Sequence, residues 1–81
     1  MVEGSVQRQD IGWAVKQLWN KLRVCRAGWD DKDVYLYLEP QVYTDGEVTF
    51  PCVYIRTVSR DRVPWLCLQM DLLATDWEIA K

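Results

Sequence analysis

Val34-Tyr35-Leu36-Tyr37-Leu38 alternates aliphatic and aromatic side chains over five residues. Period-two alternation of this kind signals a β-strand. Val34, Leu36 and Leu38 fall on one face, Tyr35 and Tyr37 on the other. Both faces are apolar or aromatic, so the strand is expected to be covered on both sides. Upstream, Arg23-Val24-Cys25-Arg26 suits a short strand, and Ala27-Gly28-Trp29-Asp30-Asp31 reads as a turn or loop. Downstream, Pro40 and Asp45-Gly46 mark a loop and a tight turn. Phe50 to Val58 is the longest strand candidate. Ser59-Arg60-Asp61 turns the chain, and Arg62 to Leu66 returns as a strand whose Pro64 places it at an edge or a bulge. Gln69 to Leu73 suits one helical turn, and Asp76 to Ile79 a last short strand.

Before this strand-rich region, Asp10 is a good helix N-cap. Ile11, Ala14, Val15, Leu18 and Leu22 then recur at helical spacing, predicting a helix over 11–20. Trp13 and Trp19 lie off that stripe and are expected to be partly exposed, a first sign of a partner surface. The fold class read from these elements is α+β: one N-terminal helix packed on an antiparallel sheet of about four to five strands. Residues 1–9 read as a polar N-terminal arm and 10–81 as a single domain.

Eighty-one residues bound the answer to one domain with a modest core, which needs a disulfide, a metal or self-association to stabilise it. Three cysteines, with no CxxC, suggest neither a disulfide framework nor a zinc site. Cys25, Cys52 and Cys67 read as small buried hydrophobes in a reducing cytosol. Self-association is left as the expected staple. Five tryptophans point the same way, because so small a core cannot hide them all. A net charge of −2 disfavours a DNA or RNA binder. No apolar run approaches the roughly 20 residues of a membrane span, and the polar start does not read as a signal peptide.

Catalysis is hard to assemble from this composition. Histidine is absent, so Ser5 and Ser59 lack the usual activating base, and the cysteines lack the usual cationic partner. Asp30-Asp31 or Asp71 could run acid–base chemistry, but adjacent aspartates in a glycine-containing loop more often form turns. Asp30, Asp31 and Asp33 resemble part of a calcium loop, without its glycine and terminal glutamate. No metal and no cofactor is expected, and no phosphate-cradling glycine motif occurs.

Two aromatic-plus-polar sets remain. Arg26, Trp29 and Asp30 lie together at a strand-to-loop junction, and Trp65, Gln69 and Asp71 lie within seven residues. An indole can stack on a base, a carboxylate or amide can read its edge, and an arginine can pair with phosphate. Taken singly, Trp29 and Trp65 read rather as core residues whose N–H finds a backbone carbonyl, and spacing alone does not overturn that.

The same segments carry a resemblance. Arg26-Ala27-Gly28-Trp29-Asp30-Asp31-Lys32 resembles Arg-Lys-Gly-Trp-Asn-Gly-Lys. Residues 63–78, which include Val63-Pro64-Trp65, Gln69-Met70-Asp71 and Asp76-Trp77-Glu78, resemble Val-Pro-Trp-x-x-Ser-Gln-x-Asp-x-Leu-Ala-x-Asp-Trp-Glu. Both patterns belong to the small phage proteins of the second Thoeris anti-defence type, and the resemblance spans about residues 10 to 79. It implies an N-terminal helix on an antiparallel sheet, and a homotetramer. It implies a molecular sponge in the cytoplasm of the infected bacterium. Such a sponge binds a cyclic ADP-ribose isomer without cleaving it, so that the NADase effector stays off. Some members also bind cyclic dinucleotides at separate sites.

Carried over residue by residue, the resemblance implies that Trp29 stacks on adenine and that Asp30 follows it in the site. Asp71 reads the adenine amino group, Trp65 and Gln69 belong to the motif, and Arg26 pairs with a phosphate. Trp77 and Leu73 are assigned to packing. Three positions depart: asparagine becomes Asp30, glycine becomes Asp31, and serine becomes Leu68. An ionised carboxylate only accepts hydrogen bonds, and added negative charge opposes an anionic pyrophosphate. The alternative is a phage inhibitor or structural protein that binds protein, with Trp13, Trp19 and the Tyr35/Tyr37 face as its contact surface.

Overall fold

A computed structural model describes residues 9–31, 33–41, 43–59 and 61–81, without the side chain of Thr44. Of the expected arm over residues 1–9, residues 1–8 lie outside the described residues, as do Lys32 of the tryptophan motif and Arg60 of the expected turn; Gln9 is instead tied into the fold, its carbonyl accepting from the Trp77 N–H. Helix α1 spans Ile11–Trp19. Asp10 caps it, its carboxylate accepting from the Trp13 N–H at 3.0 Å. At the other end the Leu22 N–H reaches the Gln17 carbonyl and the Lys21 N–H reaches the Leu18 carbonyl. This is a Schellman closure, and it puts Lys21 in the left-handed region at φ 67°.

Among the described residues seven strands follow, with one helical turn among them. They are β1 (Val24–Arg26), β2 (Tyr35–Glu39), β3 (Tyr43–Thr44), β4 (Glu47–Val48), β5 (Cys52–Arg56), β6 (Arg62–Pro64) and β7 (Trp77–Ile79). The turn is α2 (Gln69–Leu72), between β6 and β7. Five strands form one antiparallel sheet in the order β6-β5-β2-β1-β7. The α+β class, with one N-terminal helix on an antiparallel sheet of about five strands, is therefore observed. Pro64 sits on the edge strand β6, where a missing N–H leaves no gap in the ladder interior. Strands β3 and β4 make a separate hairpin. Its turn residues Asp45 (φ 49°) and Gly46 (φ 82°) are both left-handed, the type I′ geometry that matches strand twist.

Register sorts the sheet into two faces. Val24, Leu36, Ile55 and Val63 align on one face, over which α1 packs. Ala14, Leu18, Val24, Leu36 and Trp77 form its buried core. The opposite face carries Tyr35, Tyr37 and Tyr54 with ring centroids 6.1 and 5.8 Å apart along the row. The expected cover on this face consists of arginine side chains. The guanidinium of Arg23 lies 4.7 Å from the Tyr35 ring centroid and that of Arg62 lies 4.4 Å from the Tyr54 centroid.

Several expectations are corrected. Strand β5 is shorter than Phe50 to Val58, because Pro51 has no N–H for the ladder and the Thr57 N–H turns to the Asp61 carbonyl. Strand β6 ends at Pro64, before Leu66. Val15 and Leu22 are exposed, so the buried stripe of α1 is Ala14 and Leu18, with Leu22 beyond the helix end. Of the cysteines only Cys25 is buried; Cys52 is half-buried at a strand start, and Cys67 is exposed in the segment before α2. Leu73 is 73% exposed, since a single helical turn sends only Asp71 inward.

Leu36 is fully buried at the centre of the sheet. Leu36→Ala is expected to cost about 2–5 kcal/mol by urea denaturation. Asp10→Ala, which removes only the cap, is expected to cost about 1 kcal/mol. Comparable losses in the two variants would contradict this placement of the core.

Candidate functional site

Beside α1, on the same sheet face, a cleft of about 850 Å³ opens. Its sides carry Trp29 and Trp65, and Val34, Ile55 and Val63 add apolar surface from the sheet region. Asp30, Asp31 and Asp71 bring carboxylates to it, while Leu66 and Leu68 add apolar surface from the segment before α2. The surface is therefore mostly apolar, with a few hydrogen-bond acceptors. That composition suits a planar, uncharged ring system with N–H groups at its edge.

Trp77 organises this arrangement. It is buried at the start of β7. The Trp29 ring meets it edge-on at 5.6 Å between centroids and 79°, and the Trp65 ring does so at 5.9 Å and 86°. Near-perpendicular contacts of this kind suit the indole quadrupole. The Trp77 Nε1–H donates to the Asp71 backbone carbonyl at 3.2 Å. One buried indole thus touches both walls and the turn that bears Asp71. Trp29 and Trp65 each pack against the core and each line the cleft.

Asp71 is the one buried charged residue among those described, its side chain 10% exposed. Arg26 Nη1 holds its Oδ1 at 2.8 Å. Arg26 Nε holds Asp76 Oδ1, also at 2.8 Å. Arg26 lies on β1 in step with Val24, so it enters the apolar face and needs a counter-charge there. Hydrogen bonds donated to Asp76 and then to Asp71 push the guanidinium above its ordinary value, and Arg26 holds the Asp76 carboxyl below the usual 3.8. Arg26 stands behind Asp71 rather than at the cleft surface.

The loop before Trp29 is tied down by three bonds. The Trp29 N–H donates to the Arg26 carbonyl, the Ala27 N–H to the Asp76 carbonyl, and the Gly28 N–H to Asp76 Oδ2 at 2.9 Å. A Cβ on Gly28 would lie 3.1 Å from that carboxylate oxygen, a tight contact that the Asp76 side chain would have to relieve by a few tenths of an ångström. Asp31 accepts from the Asp33 N–H, the turn-forming role expected of it.

Four of the six residues singled out in the sequence line the cleft: Trp29, Asp30, Trp65 and Asp71. Arg26 backs it, and Gln69 is exposed on the first residue of α2, away from the lining. Asp76 escaped sequence reasoning. The available signal was an inward-facing arginine on a short strand, whose partners had to come from elsewhere in the chain. Leu68 occupies the N-cap position of α2 without a side-chain cap, at the place where the resembling pattern has serine.

Partial shielding of the Cys67 sulfur from water raises its pKa and the Asp71 charge raises it further, although the residue is exposed as a whole, so the thiol is a poor nucleophile. Among the described residues no group of three or more His, Cys, Asp or Glu side chains could hold a metal ion. No helix among them is long and apolar enough to cross a membrane.

The profile of the Thoeris anti-defense 2-like domain matches residues 9–80. Thoeris anti-defense 2 of Bacillus phage SP01 is 26% identical over 84 aligned positions, covering 89% of this chain and 94% of that protein. The match runs through the helix, the whole sheet and every residue of the cleft, and the chain belongs to the Thoeris anti-defense 2-like family.

Proposed function

We propose that this protein sequesters a cyclic nucleotide immune signal, first of all a cyclic ADP-ribose isomer, without cleaving it. The observation that carries this reading is the cleft itself: two indole walls, with one buried, arginine-anchored carboxylate beside them. An adenine fits that geometry, stacked on Trp29 with its amino group donating to Asp71. Asp71 Oδ1 is occupied by Arg26, which leaves the other carboxylate oxygen to accept from the ligand. Arg26 supports the site from behind by holding Asp71, and its pairing with a phosphate belongs to the same proposal. Trp65, Gln69 and Asp30 complete the ligand-binding set. Sequestration works by mass action, so affinity and protein abundance set the outcome and turnover plays no part. The protein acts in this reading in the cytoplasm of the infected host, and cyclic dinucleotides are a second ligand class.

Residues 66–73 favour self-assembly. Leu66, Leu68, Met70 and Leu73 are each 60% exposed or more within eight residues of chain. So much apolar surface in one stretch calls for a cover. In this reading copies of the chain supply it, as a homotetramer. Light scattering at micromolar concentration is expected to give four times the 9.6 kDa chain mass; a monomer would remove the assembly from the proposal.

Trp29→Ala is expected to weaken binding of a cyclic ADP-ribose isomer by calorimetry about 5- to 150-fold, the worth of one base stack. Unchanged affinity would refute the stacking role. Asp30→Asn and Asp31→Gly remove charge beside an anionic ligand, and each is expected to tighten binding by about 1 kcal/mol at low salt. Weaker binding in both would mean that the carboxylates contact the ligand favourably.

The reading as a whole is tested on lysate from cells with a triggered Thoeris sensor. The purified protein is incubated with it, denatured by heat, and the released material identified by mass spectrometry. An intact cyclic ADP-ribose isomer is the expected result. A hydrolysed product would make the protein an enzyme. Release of no nucleotide, with a host protein retained instead, would favour a protein-binding inhibitor.

A further inference from the structure

Asp76 holds two parts of the cleft that the sequence separates widely. It belongs to the C-terminal motif, yet it neither lines the cleft nor packs in the core. Its Oδ2 accepts from the Gly28 N–H, and its backbone carbonyl accepts from the Ala27 N–H. Both bonds fix the turn that ends on Trp29. Its Oδ1 accepts from Arg26 Nε, and the same guanidinium then reaches Asp71 through Nη1. The first pair of bonds sets the stacking wall, and the second sets the acceptor.

We propose that Asp76 is the positioning residue of this site: one carboxylate fixes both the Trp29 wall and, through Arg26, the Asp71 acceptor. The proposal rests on reading this cleft as the ligand site. Its chemistry requires a carboxylate. Both oxygens of Asp76 act as acceptors, each toward a different donor. An asparagine offers one acceptor and one donor; its oxygen turns to the charged guanidinium, the stronger donor, and its NH2 is left donor against donor at the Gly28 N–H. A merely structural aspartate would loosen the whole domain when changed. A positioning aspartate loosens one turn and one side chain.

The two-armed geometry makes the roles separable. Asp76→Asn breaks one arm by replacing an acceptor with a donor. Arg26→Lys keeps a positive charge, but a lysine cannot present two fixed N–H directions to two carboxylates. It should disturb Asp71 and leave the bond between Gly28 and Asp76 in place.

The test is nuclear magnetic resonance on the ligand-free protein, followed by calorimetry with cyclic ADP-ribose isomers as probes. In Asp76→Asn the Gly28 amide is expected to exchange about ten- to a hundred-fold faster, the range for losing one charge-assisted hydrogen bond. The Trp29 indole resonance should move, while the Trp65 indole and the amides of α1 stay. In Arg26→Lys the Gly28 amide should remain slow and the Trp77 indole N–H, bonded at Asp71, should shift. Uniform change across all amides in Asp76→Asn, or none at Gly28 and Trp29, would overturn the proposal.

A titration of the unaltered protein covers the case in which Asp76→Asn does not fold. Arg26 from β1 faces Asp76, and Asp71 from α2 lies on the far side of the guanidinium. Arg26 depresses the Asp76 pKa, so the tie is present above 3.8 and is lost only as pH falls through a lower value. The Trp29 resonance should hold through pH 3.8 and move below it; movement centred at or above 3.8 would count against Asp76. With the probes, Asp76→Asn should bind about ten-fold or more weakly than the unaltered protein. If the unaltered protein binds none of the probes, the ligand reading fails, and the ligand-free measurements still decide what Asp76 holds.

Discussion

The buried indole of Trp77 sets the form of this small domain. An indole is a large apolar body with a single N–H that needs an acceptor when buried. Trp77 fills the region between α1 and the sheet, and its N–H finds the carbonyl of Asp71. That bond fixes the short turn α2 against β7. Trp29 and Trp65 then pack nearly perpendicular to the same ring from two other segments of the chain. A core of five fully buried apolar residues has little to spare. Here its largest member is also the support of the cleft, so stability and site geometry rest on one side chain.

The regular elements were legible because local chemistry determines them. Asp10 announces the start of α1, Asp45-Gly46 announces a tight turn, and Pro64 announces an edge. The alternation at Tyr35–Leu38 identifies the buried face, with Leu36 at its centre. Tertiary placement was less legible. The tyrosine face called for a cover, and nothing local says that arginines from β6 and from beside β1 supply it. The exposed positions of Cys67 and Leu73 follow from where β6 ends and how one helical turn points.

The candidate site divides along the same line. Trp29, Trp65 and Asp71 stood out by residue type, and all three reach one cleft. Their supports did not stand out, because Arg26 meets partners 45 and 50 residues away in the chain. An antiparallel pairing of β1 with β7 brings them together, and two strands of three residues each carry too little pattern to predict that register. The match to the Thoeris anti-defense 2-like domain spans both strands.

The three indoles carry an optical consequence. Rings held edge-on within 6 Å of one another couple their electronic transitions, and the coupling depends on their mutual angle. Trp29 and Trp65 are tilted at 79° and 86° to the same Trp77 ring. Such a trio has a chiral absorption signature of its own, distinct from the signal of the backbone. Two of its three members line the cleft, so a molecule bound against either of them would perturb that signature. The domain therefore contains its own label, and occupancy of the cleft can be followed by circular dichroism without attaching a dye.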